Sequence, residues 1–75
     1  MARIESLHKD NRDIRFQGGV KAEYFSGYIS GNKLIQINTY GSMERKHTDL
    51  PSQIIQIDKE IAIELINILQ HEFDL

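Results

Sequence analysis

Alternating apolar and polar positions in the first half of the chain predict antiparallel strands. Ile14–Gln17 alternates, and Gly18-Gly19 then forms a typical two-residue hairpin loop, because both glycines tolerate positive φ. Val20–Ser30 is rich in the aromatic and branched residues that favour strands. Gly31-Asn32 indicates a second two-residue loop, so Lys33–Tyr40 is the third predicted strand.

A loop at Gly31-Asn32 would also fix how the second and third strands pair. It would place Tyr28 opposite Ile35 and Tyr24 opposite Thr39, all on one face of the sheet. The opposite face would pair Phe25 with Asn38 and is also partly apolar. The face with the two tyrosines carries more branched residues, so we expect it to be the core face.

The second half of the chain predicts a loop, a strand and a helix. Gly41–Pro51 is polar and longer than an ordinary hairpin turn, and Gln53–Ile57 alternates as a fourth strand. Asp58 is a suitable N-cap for a helix from about Lys59 to His71 or Phe73. These elements predict one α+β domain over residues 1–75, a four-stranded antiparallel meander followed by a C-terminal helix. Residues 1–13 are expected to form a loosely ordered arm or a short strand.

The predicted helix carries more apolar surface than one small sheet can cover. Apolar residues recur at helical spacing, and further isoleucines lie outside the main stripe. A chain of 75 residues also gains limited stability from its own core. We therefore expect a homodimer through the helix, with these residues at the interface: Ile61, Ile63, Leu65, Ile68 and Leu69.

Composition and charge narrow the possible functions. The chain has no cysteine, which excludes disulfide and thiolate sites and suits a cytoplasmic protein. No apolar run is long enough to span a bilayer, so we expect no membrane association. Residues 1–57 hold eight basic and six acidic side chains, whereas residues 58–75 hold one basic and five acidic side chains. The net charge of -2 therefore leaves room for a basic surface on the sheet side.

Catalytic and metal-binding patterns are absent from the sequence. His8, His47 and His71 do not have the spacing of a metal site, and Glu60 and Glu64 lie one helical turn apart on a solvent-facing side. Gly18-Gly19 lacks the further glycines and the following helix of a phosphate-binding loop. We therefore expect a protein that is not an enzyme and has no cofactor.

Basic and aromatic residues instead suggest binding of unpaired nucleic acid, DNA or RNA. In such complexes cations contact the phosphates while flat rings stack on the bases. The basic candidates lie beside turns or in the long loop: Arg12, Arg15, Lys21, Lys33, Arg45 and Lys46. The aromatic candidates lie in strands: Tyr24, Tyr28 and Tyr40. Strand aromatics in a core and charges on a solvated loop would explain the same residues without any ligand.

Two segments resemble the positive cofactor four family of single-stranded-DNA-binding transcription coactivators. Leu34–Tyr40 is similar to that family's third strand, and Ile55–Glu60 is similar to its junction between strand and helix. The resemblance covers about residues 14–73 and implies a homodimer whose helices pack together and whose curved sheets form channels for unpaired strands. It also implies a role as a cofactor in transcription or DNA processing. Gln53 and Ile54 depart from the family, which has a basic residue and a glycine before the fourth strand.

A different class of function fits the same chain. A short length, a net charge of -2 and an acidic helix are also typical of a small protein-interaction module, such as an adaptor or an inhibitor from a phage or mobile element. A continuous positive surface on the sheet would favour nucleic acid, and a patchy one would favour a protein partner.

Overall fold

Four strands and one helix form the fold of residues 1–41 and 50–75, which the computed structural model describes. They are β1 (Ala2–Arg3), β2 (Lys21–Ile29), β3 (Asn32–Tyr40), β4 (Gln53–Ile57) and α1 (Lys59–Phe73). The strands form a single sheet in the order β1-β4-β3-β2. β3 is antiparallel to both β2 and β4, whereas β1 runs parallel to β4. The sheet is therefore mixed, with β2 at one edge and β1 at the other.

The predicted α+β fold with a C-terminal helix is confirmed, but the purely antiparallel meander is wrong. The Ile14–Gln17 segment is not a strand, and the fourth member of the sheet is Ala2–Arg3. A meander would need the chain to turn back at Gly18-Gly19. Within the described residues, Gly31 is the glycine with positive φ, so neither Gly18 nor Gly19 has the geometry of a primed hairpin turn.

The turn between β2 and β3 is formed by Ser30 and Gly31. Their φ angles are 50° and 79°, and a type I′ hairpin loop requires positive φ at both central positions. Tyr28 therefore pairs with Lys33 and not with Ile35, so the predicted register is wrong by two residues. Side chains alternate with a period of two, and a shift of two residues leaves each one on its predicted face.

We predict that Gly31→Val destabilises this hairpin. A β-branched residue resists positive φ, so the free energy of unfolding should fall by about 1–3 kcal/mol. The matched substitution Ser30→Asn should leave stability equal or slightly higher, because Asn-Gly is a favoured pair for this turn. Denaturant unfolding measures both variants. An unchanged midpoint for Gly31→Val would contradict the turn geometry.

Pairing and alternation give the sheet two chemically different faces. The tyrosine face carries Ala22, Tyr24, Ser26, Tyr28, Lys33, Ile35, Ile37, Thr39, Ile55 and Ile57. The amide face carries Glu23, Phe25, Ile29, Leu34, Gln36, Asn38, Ile54 and Gln56. The isoleucines of β3 and β4 are buried or half-buried, whereas every residue of β2 is exposed. Burial is thus concentrated at the centre of the sheet.

Side-chain and backbone caps determine where α1 begins and ends. The Asp58 carboxylate accepts a hydrogen bond from the backbone N–H of Ile61 at 3.0 Å, as an N-cap residue does. Glu60 lies in the first turn, where negative charge favours the helix dipole. Asp74 takes the left-handed conformation at φ 54°, and its N–H donates to the carbonyl of Gln70. The predicted cap at Asp58 agrees with the structure.

The N-terminal residues follow β4 and then α1. The Ile4 N–H donates to the Gln56 carbonyl at 3.0 Å, and Arg3 Nη1 lies 3.2 Å from Asp58 Oδ2. Farther along, Lys9 Nζ lies 3.1 Å from Glu72 Oε1 at the other end of the helix. The arm formed by residues 2–9 therefore contacts β4, the N-cap of α1 and the C-terminal part of α1.

The protomer has a very small core for its length. Among the described apolar residues only Ile57 and Ile61 are buried, and the backbone of α1 does not pack along any described strand. The accessible surface is 7150 Å², whereas a compact monomer of 8.7 kDa exposes about 4,700 Å². The radius of gyration is 14.5 Å, against about 11 Å for a compact domain of this length. The isolated protomer thus leaves roughly 2,400 Å² more surface in water than a compact domain does.

Candidate nucleic-acid interface

Two exposed tyrosines and one lysine form a cluster on the tyrosine face at the open edge of the sheet. Tyr24 and Tyr28 lie four residues apart on β2, so their Cα atoms are separated by about 13 Å along the strand. The two residues are 78% and 71% exposed, respectively. Lys33 pairs with Tyr28 across the turn, and its Nζ lies 4.8 Å from the centroid of the Tyr28 ring.

This geometry suits an unpaired strand of nucleic acid. An exposed ring offers a flat surface on which any base can stack, whatever its sequence. The Lys33 ammonium lies over one face of the Tyr28 ring in a cation–π interaction, so a base can stack on the other face while the ammonium contacts a phosphate. Ser26 lies between the two tyrosines on the same face and leaves the space between the rings open.

The structure places Lys21 and Tyr40 away from this cluster. They pair with each other at the far end of the β2–β3 ladder. Side chains alternate along each strand, so Lys21 lies on the same face as Phe25, and Tyr40 lies on the same face as Asn38. Both are therefore on the amide face, opposite to Tyr24 and Tyr28. One nucleic-acid strand that lies flat on the tyrosine face therefore does not reach this pair.

Among the described residues, two further basic candidates lie outside the strands that carry the cluster. Arg12 and Arg15 lie in the exposed segment between the arm and β2. Arg12 Nε lies 2.8 Å from Asp10 Oδ2, so part of its charge is compensated locally. Arg45 and Lys46 lie outside the described residues. Of the predicted set, the structure thus brings together Tyr24, Tyr28 and one cation, Lys33. Strands β2, β3 and β4 place no other basic side chain on the tyrosine face, so the positive charge there is patchy, which is the pattern that favours a protein partner.

A chain of side-chain amides crosses the opposite face and was not predicted. Gln56 Nε2 donates to Gln36 Oε1 at 3.0 Å, and Gln36 Nε2 donates to Asn38 Oδ1 at 2.9 Å. Asn38 is 8% exposed, and these bonds satisfy polar groups whose burial would otherwise be costly. The signal in the sequence was the presence of polar residues at alternate positions within two otherwise apolar strands.

The predicted dimer residues of α1 differ in their accessibility. Ile61 is 3% exposed and belongs to the core of the protomer, and Leu65 is half-buried. Ile68 lines a groove with Leu7 of the arm, so part of its surface faces its own chain. Ile63 is 52% exposed, whereas Ile68 and Leu69 are each 39% exposed.

An open apolar stripe runs along α1 on a side that the arm does not line. Its members recur every three or four residues, the spacing of one helix face: Ile63, Ile66, Leu69 and Phe73. We name these four residues the helix stripe. Ile66 and Phe73 were not among the five predicted interface residues, because spacing alone could not show which side of the helix the arm would take.

The other chemical possibilities can be compared with the described residues. In residues 1–41 and 50–75, no three His, Cys, Asp or Glu side chains lie close enough to share a metal ion. The described helix is too short and too polar to cross a membrane. Comparisons with protein-family models, with curated proteins and with solved structures find no match. The functional argument therefore depends on the geometry of the chain itself.

Proposed function

We propose that this chain forms a homodimer through α1 and binds unpaired nucleic acid, without catalysis, on the tyrosine face. The observation that carries the binding proposal is the cluster of Tyr24, Tyr28 and Lys33. A stacking surface beside a cation is the arrangement used by proteins that bind single strands with little sequence preference.

The dimer part of the proposal is supported by the excess surface and by the helix stripe. A tight homodimer buries about 2,000–5,000 Å² in total, and each protomer exposes roughly 2,400 Å² more than a compact domain. The helix stripe supplies four large apolar side chains at this surface. Burial of such residues by a second copy would provide the core that one copy lacks.

The proposal assigns different roles to the basic residues. Lys33 contacts phosphate at the tyrosine cluster, and Arg45 and Lys46 extend the contact from the long loop. Lys21 and Tyr40, which pair at the far end of the β2–β3 ladder, would contact a second segment of the nucleic acid on the amide face. Contacts to phosphate fix the position of the nucleic-acid backbone on the protein and contribute little to sequence specificity.

Titration with short oligonucleotides tests the binding proposal. Wild-type protein is mixed with labelled unpaired DNA, unpaired RNA and a DNA duplex of the same length, each at two salt concentrations. We expect both unpaired strands to bind more tightly than the duplex, with affinity that falls as salt rises. Absence of binding to unpaired strands at low salt would reject the proposal and favour a protein partner.

The adjacent cations of the long loop give a separate prediction. The double substitution Arg45→Ala and Lys46→Ala should leave the melting temperature nearly unchanged, since charged side chains in a polar stretch of sequence seldom contribute much to folding. Oligonucleotide affinity should nevertheless fall, and the slope of log affinity against log salt should decrease by up to about 2. An unaltered affinity and salt slope would show that the loop does not contact phosphate.

A further inference from the structure

We infer that the Ile14–Gln17 segment of one copy adds as a strand to the outer edge of β2 in a second copy. The exchange would bring Arg15 of the first copy to the tyrosine face of the second. The strand exchange stands on the structure alone, whereas the contribution of Arg15 to binding rests on the proposed function.

The acceptor is the open edge of β2. This strand is nine residues long, and among the described residues its hydrogen-bonding partner is β3 on one side. All nine residues are exposed. An edge of this length presents a row of backbone N–H and C=O groups, which is a template for another strand.

The donor is a segment with the pattern of a strand but without a partner in the described protomer. Ile14 and Phe16 are fully exposed, and Val20 is largely exposed. These residues alternate with Arg15 and Gln17, as in a half-buried strand. Apolar side chains at alternate positions are stabilised only when one face of the segment is covered.

The conformation at Gly18 and Gly19 does not return this segment to its own β2 as a primed hairpin. A two-residue hairpin loop needs positive φ in at least one central residue, and neither glycine has it. Apart from the two chain neighbours of each glycine, no heavy atom of the described residues lies within 4 Å of a Cβ built on Gly18 or Gly19. The chain therefore does not fold Ile14–Gln17 back onto its own β2. A reciprocal exchange between the same two copies that meet through α1 keeps the dimer closed and two-fold.

Alternation determines which face each side chain of the added strand joins. Phe25 and Ile29 are exposed apolar residues on the amide side of β2. If Ile14 and Phe16 pack beside them, Arg15 points to the other face, next to Tyr24 and Tyr28. The partner copy thus supplies the cation that the tyrosine cluster lacks on its open side.

Isotope-filtered NMR on mixed protein tests the exchange directly. Uniformly ¹³C,¹⁵N-labelled protein and unlabelled protein are unfolded together, refolded at equal concentration and examined for contacts between labelled and unlabelled chains. We expect intermolecular contacts from the Phe16 ring to Phe25 or Ile29. Contacts from Phe16 that occur solely within one chain, or none to β2 at all, would overturn the inference. This readout is independent of nucleic acid, so it remains decisive if the protein binds no oligonucleotide.

Matched substitutions in the same segment test its energetic role. Phe16→Asp should raise the dimer dissociation constant at least about 10-fold, whereas Gln17→Asp adds the same charge on the other face and should change it less than about 3-fold. Sedimentation equilibrium measures both variants. Equal effects of the two substitutions would contradict docking of Phe16.

Arg15→Ala should weaken oligonucleotide binding without changing the dimer dissociation constant. An unchanged oligonucleotide affinity would show that Arg15 does not contact the nucleic acid.

Discussion

The double substitution Ile63→Glu and Ile66→Glu is expected to convert the dimer into a monomer or to prevent folding. Both residues belong to the helix stripe and are more than half exposed in the protomer. In a dimer their burial removes apolar surface from water, and four negative charges would replace it across the two copies. The dimer dissociation constant should rise at least about 100-fold, which corresponds to about 2.7 kcal/mol.

A control with the same helix propensity separates polarity from helix formation. Leu and Glu both favour helices, so Ile63→Leu with Ile66→Leu should preserve the dimer. Sedimentation equilibrium gives the molecular mass, and circular dichroism shows whether α1 remains folded. If the glutamate variant sediments as a dimer with wild-type stability, α1 is not the interface.

The second large effect is expected at the tyrosine face. Tyr24→Ala with Tyr28→Ala should weaken binding of unpaired oligonucleotides at least about 30-fold, because each base–aromatic stack contributes about 1–3 kcal/mol. Both tyrosines are mostly exposed, so the double variant should still form a folded dimer. Fluorescence anisotropy at fixed salt measures the affinity.

The paired control keeps the rings and removes the hydroxyl groups. Tyr24→Phe with Tyr28→Phe should bind within about 3-fold of wild type, since stacking depends on the ring. An alanine variant that binds as tightly as the phenylalanine variant would exclude the two rings as the stacking surface. The protein could then bind nucleic acid only through another surface.

Local signals were sufficient to predict β3, β4 and α1. The alternation of Gln53–Ile57 predicts a strand and Asp58 predicts the start of a helix, and each signal involves only a few neighbouring residues. Both elements are present in the structure. The position of the β2–β3 turn was harder to predict, because Gly31-Asn32 and Ser30-Gly31 are both acceptable two-residue loops. The structure uses the second, with Ser30 in a positive-φ conformation that serine rarely adopts.

Long-range pairing could not be predicted from local pattern. Ala2 pairs with Ile55, and nothing in the sequence around either residue indicates that the two are partners. Ile14–Gln17 has the alternation of a strand, yet pattern alone does not say which molecule supplies its neighbour. For the proposed binding surface, Tyr24, Tyr28 and Lys33 were chosen by residue type, whereas their common face depends on alternation in the β2–β3 hairpin. The amide chain of Gln36, Asn38 and Gln56 depends on strand order and was missed.

The most direct test of the complete account is sedimentation velocity of wild-type protein with a fluorescent unpaired oligonucleotide of about 20 nucleotides at low salt. One experiment reports both the assembly state and the binding. We expect the label to sediment with two protein chains, and a duplex of equal length to remain largely free at the same protein concentration. An oligonucleotide that sediments alone beside a monomeric protein would contradict both the dimer and the nucleic-acid interface.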